Sequence, residues 1–172
     1  GNWSLGKMSG IGKITYSSGS IYEGNFKNNQ PNGKGKINFS DGGSYEGSWI
    51  NGVIEGIGIA KYANGLVYEG EFSRGKNNGS GTMTYSDGYV YTGNWKNGIQ
   101  EGEGEEKFPN GTTYKGEFKN NQRHGKGTMK MEDGFSYTGD WVSGEMSGKG
   151  IVVYANGDQY DGYFLNGKRE GK

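Results

Sequence analysis

The 172-residue sequence predicts an all-β protein, an elongated, twisted antiparallel meander of tandem 23-residue β-hairpins. Three observations predict it: a tyrosine that returns every 23 residues, glycines confined to fixed places within that period, and short alternating strands between glycine turns. The tyrosines are Tyr22, Tyr45, Tyr68, Tyr91, Tyr114, Tyr137 and Tyr160, with no insertion or deletion between them. A fixed period of this length marks a repeat array, in which each unit buries its apolar face only on its neighbours. The segment before Tyr22 keeps the register through Trp3, Gly10, Gly12, Tyr16 and Gly19. The expected organisation is one array over 1–172, with a partial repeat at 1–21, six full repeats over 22–159 and a partial repeat at 160–172. Starting at Gly1 and stopping in mid-repeat, the chain reads as a fragment of a longer protein.

With the tyrosine as unit position 1, every glycine except Gly43 falls at position 3, 8, 12, 14 or 21. Position 21 is always glycine and mostly follows Asp or Asn, as in Asp41-Gly42, Asn64-Gly65 and Asp133-Gly134. Such pairs specify a hairpin turn, because glycine takes the positive φ and the Asx side chain bonds to nearby backbone. Position 8 is glycine except at Asn29 and Asn121. Asparagine is the common residue that also tolerates left-handed backbone, so this position is expected there too.

Strand alternation places Tyr68, Gly70 and Phe72 on one face and Glu69 and Glu71 on the other, and puts Gly79, Gly81, Met83 and Tyr85 on a shared face. Glycine normally weakens a strand, so its repetition implies close approach of another group, here an aromatic ring from the adjoining strand or repeat. Rings over glycines supply the buried area of each unit, and their contacts add ~0.5–1.5 kcal/mol per pair.

Composition agrees. Apolar residues reach only 30%, too few for a conventional closed core, while 14% aromatic residues exclude a disordered glycine-rich tract. Lys plus Arg equals Asp plus Glu at 19 each, so no long-range field draws the chain to nucleic acid. The absence of cysteine excludes disulfides and thiolate chemistry and fits a reducing compartment. No signal peptide and no membrane-spanning apolar run is present in the sequence.

Tyr68-Glu69-Gly70-Glu71-Phe72, and Tyr114-Lys115-Gly116-Glu117-Phe118 followed by Asn121-Gln122-Arg123-His124-Gly125-Lys126-Gly127, closely resemble the MORN repeat. The resemblance covers the whole chain. It implies a platform for proteins, in arrays associated with membranes or the cytoskeleton, and extends to phospholipids and to arrays fused to catalytic domains.

Catalytic chemistry is not expected. His124 is the single histidine, read as a solvated residue in a polar loop, and no base–nucleophile pair or metal-ligand cluster can be built around it. Each Gly-x-Gly, such as Gly33-Lys34-Gly35 or Gly148-Lys149-Gly150, enters a strand and lacks the convergent amides of a helix start. Glu101, Glu103 and Glu105 share a strand face, read as solvated and screened by Lys115 and Lys119. A divalent cation or basic partner is the competing reading of that face. Glu106 occupies a column filled elsewhere by Ile14, Ile37, Ala60, Met83, Met129 and Val152, so the face is expected to be open or imperfect there. No catalytic residue, cofactor or metal site is therefore assigned.

Position 5 alternates strictly through Trp3, Phe26, Trp49, Phe72, Trp95, Phe118, Trp141 and Phe164. The hairpin tips alternate with it. Trp units carry Met8, Val53-Ile54, Ile99 and Met146, whereas Phe units carry Gln30-Pro31, Lys76-Asn77, Gln122-Arg123 and Lys168-Arg169. Two readings stand side by side: the apolar tip is a lid for the larger indole, or it belongs to a binding edge. Ile57 and Ile59, and Ile151 and Val153, replace polar residues on the outer face. Candidate partner-binding residues are Tyr45, Trp49, Val53, Ile54, Ile57, Ile59, Tyr91, Trp95, Ile99, Trp141 and Met146.

The expected function is a non-catalytic scaffold or adaptor that binds an extended segment or helix of a protein partner along an aromatic-lined ribbon. Its expected place is cytoplasmic, with membrane or cytoskeletal assemblies. Exposed sheet edges at the array ends are expected to favour homodimers. The alternatives are a phosphoinositide-binding membrane-targeting module, with anionic phospholipid as partner, and the regulatory region of an enzyme whose catalytic domain lies outside this chain.

Overall fold

The computed structural model describes residues 2–171. Its described residues form antiparallel strands joined by tight turns, and they hold no helix long and apolar enough to cross a membrane. The chain divides into two compact units, Gly1–Ser86 and Asp87–Lys172. The first contains β1 (Asn2–Ser4), β2 (Lys7–Thr15), β3 (Ile21–Lys27), β4 (Gln30–Asn38), β5 (Ser44–Ile50), β6 (Val53–Lys61), β7 (Val67–Ser73) and β8 (Lys76–Thr84). The second contains β9 (Val90–Lys96), β10 (Ile99–Lys107), β11 (Thr113–Lys119), β12 (Gln122–Lys130), β13 (Ser136–Val142), β14 (Glu145–Val153), β15 (Gln159–Leu165) and β16 (Lys168–Glu170). Within each unit every strand pairs antiparallel with the next in sequence, the meander that the repeat predicts.

Two kinds of turn make the meander. Inside a repeat, positions 7 and 8 both have positive φ, as at Asn51 (47°) and Gly52 (82°). This is the requirement of a type I′ hairpin turn, whose twist matches that of the strands. Asn29 and Asn121 take the same conformation with φ of 69° and 66°, as expected for the substitutes of glycine at position 8. Between repeats, the Asx side chain accepts the backbone N–H two residues on, as in Gly43 to Asp41 and Leu66 to Asn64. The type I′ turns are also stitched to the preceding repeat: Gly52 N–H donates to Pro31 O, and Gly75 N–H to Ile54 O.

The glycines of positions 3 and 14 face one another in register. Gly12, Gly24, Gly35, Gly47, Gly58, Gly70 and Gly81 form one row across the first unit. A Cβ at Gly35 would fall inside the ring of Tyr22, which lies across the row. The expected ring over glycine is thus the tyrosine of the same hairpin. Its hydroxyl donates to the carbonyl three residues on, Tyr22 to Asn25 O at 2.7 Å and Tyr45 to Ser48 O at 2.9 Å. Within each unit a tyrosine meets the position 5 ring of its own repeat edge-on and, where the unit continues, that of the next repeat. In the first unit the ladder runs Phe26, Tyr22, Trp49, Tyr45, Phe72, Tyr68, with centroids 4.9–5.4 Å apart. The second unit repeats it from Trp95 through Tyr91, Phe118, Tyr114, Trp141 and Tyr137 to Phe164 and Tyr160. This ladder is the core. Burial pushes the hydroxyls of Tyr22, Tyr45, Tyr68 and Tyr137 up to about 12.

Candidate binding surface

The ladder rings lie inside each unit rather than on it. Tyr45 and Tyr91 are completely buried against their glycines, and Trp49, Trp95 and Trp141 are buried beside them. The indole N–H of Trp49 donates to Gly35 O at 3.0 Å, and that of Trp141 to Gly127 O at 3.1 Å. Residues at position 10 stand directly across the hairpin from the position 5 ring: Ile54 from Trp49, Met146 from Trp141, Gln100 from Trp95. Ile54 and Met146 are half-buried there, the geometry of a lid.

Position 9 points elsewhere. Val53 pairs with Ile50 at the tip of hairpin β5–β6, and both are exposed, at 44% and 54%. Ile99 pairs with Lys96 at the tip of β9–β10 and is also exposed. On the face opposite the rings, Ile57 is 65% exposed and stands across from Glu71. Ile59 is half-buried and lies between Glu46 and Glu69. The candidates therefore separate into buried rings, the half-buried Ile54, Ile59 and Met146, and an exposed set, Val53, Ile57 and Ile99.

Ionisable side chains are largely spent on structure. Glu55 accepts the Arg74 N–H at 2.7 Å, and Glu101 accepts the Asn120 N–H at 3.0 Å, each holding the next turn. Glu105 stands across from Lys115. Lys126 pairs with Asp140, and that hydrogen bond holds the Asp140 carboxyl below its ordinary range. Among the described residues no group of three or more His, Cys, Asp and Glu is placed to hold a metal ion. His124 sits half-buried in β12 rather than in a loop, because the strand begins with a bulged stretch there.

Of the two expectations for Glu106, an open face is not met. The face around it is closed: Glu106 is 7% exposed. One oxygen accepts from Tyr89 Oη at 2.5 Å and the other from Arg123 Nε at 2.7 Å. The Arg123 guanidinium carbon lies 5.3–5.5 Å from the ring centres of Phe108, Tyr114 and Trp141. Burial, and after it the Glu106 carboxylate, raise the Tyr91 hydroxyl above its ordinary value. Sequence alone showed the odd residue; its partners come from other repeats and become neighbours only through register.

A glycine row bridged by tyrosines, repeated hairpin after hairpin, defines a tandem β-hairpin repeat protein whose variation is carried by tips and outer faces. The MORN repeat model matches residues 1–21, 22–44, 45–67, 68–88, 91–113, 114–135, 137–159 and 160–172, and the chain belongs to the MORN-repeat family. No curated protein sequence matches it significantly. Among solved structures it is similar to the SAS-4 (dCPAP) TCP domain of Drosophila melanogaster, in complex with a proline-rich motif of Ana2 (dSTIL). That match has a TM-score of 0.50 at 15% identity over 90% of each chain. The wild-type TCP10 domain of Danio rerio CPAP is matched with a TM-score of 0.42 and 13% identity, over 87% of this chain and 81% of that one. At these identities the likeness is one of fold.

Proposed function

We propose that the chain is a non-catalytic scaffold or adaptor module that binds a protein partner, with hairpin β5–β6 as its principal contact. One observation carries this reading: the departures from the repeat in that hairpin are apolar and run from its tip along its outer face. Ile50 and Val53 expose its tip, and Ile57 and Ile59 replace polar residues on the outer face. At the place of Ile57, the following repeats carry Ser80 and Glu103. Clustered exposed apolar residues on an otherwise polar sheet mark a contact site, whereas scattered ones do not. The glycine–tyrosine ladder beneath makes the platform rigid, which lowers the ordering cost of binding. The peptide complex of the similar Drosophila melanogaster domain supports an extended segment as the occupant.

A membrane-targeting role draws less support. Basic side chains stand opposite acidic ones in register, as Lys13 to Glu23 and Lys36 to Glu46, which dilutes the field that anionic lipid would need. Photo-crosslinking in the source cells tests the main reading. A crosslinker at Ile57 is expected to capture a protein, while one at Ser80 is not, and the pair Ile50→Ser and Val53→Ser, made in the chain that keeps the crosslinker at 57, is expected to abolish capture with stability changed by less than about 0.5 kcal/mol. Equal capture from both positions, or none from either, refutes it.

A further inference from the structure

Two side chains are missing from one place in the first unit. Where one repeat meets the next, the residue after the Asp-Gly turn stands beside positions 16 and 18 of the following repeat. At two junctions of the second unit rings occupy these places: the Tyr89 ring lies 4.9 Å from Phe108 and its hydroxyl reaches Glu106, while Phe135 lies 6.1 Å from Tyr154. In the first unit the residue after the turn is Gly43, the one glycine outside the five repeat positions, and position 16 is Ala60, the smallest residue of its column. Only here are both small. A recess of about 280 Å3 results. Ala60 forms its floor and Phe39, Tyr45, Ile54, Tyr62 and Phe72 its walls.

We propose that this recess binds an aromatic side chain presented by an extended segment of a partner protein. The inference rests on the protein-binding reading above and gives it an anchor. The molecule itself shows what fits, since Tyr89 and Phe135 put rings at the place that Gly43 leaves empty. Polar groups around the recess are already engaged: Phe39 N–H with Gly43 O, Tyr62 N–H with Leu66 O, Gly75 N–H with Ile54 O, and Tyr45 Oη with Ser48 O. An inserted group therefore finds mainly apolar contact, with these donors already taken, which favours a ring over a polar side chain. The volume falls just below the ~300–1,000 Å3 of small-molecule clefts and suits one side chain. Asp41 and Lys61 line the same recess with opposite charges. They complement a basic residue on one side of the ring and an acidic residue on the other, which sets the direction of the segment more than its affinity.

The test uses the full chain and short Gly-Ser peptides carrying one para-fluorophenylalanine between a lysine and a glutamate, read by fluorine NMR. The probe resonance is expected to shift saturably with the native protein and at least about tenfold more weakly with Ala60→Ile. Ile14 and Ile37 show that the column accepts isoleucine, and circular dichroism checks that the fold is kept. Gly43→Phe, which supplies the missing ring from within, is a second filling variant with the same expected loss. Equal binding by the native chain and both filled variants, or displacement of the probe by a peptide with alanine at that place as readily as by one with phenylalanine, overturns the proposal. So does concentration-dependent self-association that Ala60→Ile abolishes, which would make a second copy the occupant. A peptide selection on the native chain separates the two readings. Selected binders indifferent to Ala60→Ile sink the recess and leave protein binding standing, whereas no binder at all sinks both.

Discussion

The same junction of the repeat is built in two ways, with Gly43 and Ala60 in the first unit and Tyr89 and Glu106 in the second. Both depart from the apolar filling seen at Phe135 and Val152, yet their consequences are opposite. Around Ala60 the departure removes atoms and leaves apolar walls with nothing against them. Around Glu106 it adds a charge, and both carboxylate oxygens are answered by Tyr89 and Arg123. A void lined by rings can still gain contacts from another molecule, while a satisfied ion pair has already made its own. Divergence within a repeat array thus creates a binding candidate only where it leaves something unfilled.

The ladder beneath is common to both regions, so a condition that attacks it should erase the difference between them. High pH does so. Tyrosine is neutral when protonated, and burial raises the folded-state value from the ordinary 10 to about 12 for Tyr22, Tyr45, Tyr68 and Tyr137. The unfolded chain therefore ionises first. This contribution is fully present below pH 10 and is lost as pH rises through 10 toward 12, at about 1.4 kcal/mol per pH unit for each tyrosine. Four together are of the order of the ~5–15 kcal/mol stability of ordinary domains. Cooperative unfolding coincident with tyrosinate absorbance is expected in that window. Tyrosines that ionise near 10 before the fold is lost would mean that the ladder is less buried than it is drawn.

A second test touches only the filled junction. Arg123→Met leaves the Glu106 carboxylate buried with Tyr89 as its hydrogen-bond partner and is expected to cost about 3 kcal/mol in urea unfolding. Adding Glu106→Met restores the usual apolar filling of the column, with Met83 and Met129 as precedents, and should return stability to within about 1 kcal/mol of the native chain. If the double variant stays as weak as the single one, the ion pair is doing more than compensating an odd residue.

Most of this architecture is legible in the sequence because it repeats. The period, the Asp-Gly and Asn-Gly turns and the close approach at paired glycines each appear many times. A physical reading of one copy is therefore checked by the others. Besides the partners of Glu106 and the strand setting of His124, two features were not legible. That each tyrosine folds back over position 14 of its own hairpin depends on which glycine stands opposite which, a matter of register. It is why Tyr45 and Tyr91 look like contact residues in sequence and prove to be interior. The recess is the second. Gly43 and Ala60 each stand out in their columns, but they lie in different repeats, and only the turn geometry brings Gly43 beside the chain after Ala60: a Cβ on it would sit 3.0 Å from Lys61 O.

The mildest test concerns the turns that set that register. Position 7 takes a φ of about 50° in every hairpin, and the residue is asparagine at Asn28, Asn51, Asn97, Asn120 and Asn166, but Leu5, Ser143 and Arg74 elsewhere, with a φ of 52° at Arg74. Left-handed backbone costs an ordinary side chain ~1–2 kcal/mol, and asparagine less, because its short amide can bond locally. The Arg74 N–H is held by Glu55, a contact that any residue but proline would keep. Arg74→Asn is therefore expected to raise stability by about 0.5–1 kcal/mol, read as a higher urea midpoint at unchanged slope. Because the gain comes from backbone strain in the β7–β8 turn, it should leave binding at the recess unaltered, although Gly75 beside it lines the wall. A change in probe affinity with this variant would mean that the turn and the recess move together, and that the emptiness above Ala60 is set by the neighbouring hairpin as much as by the two missing side chains.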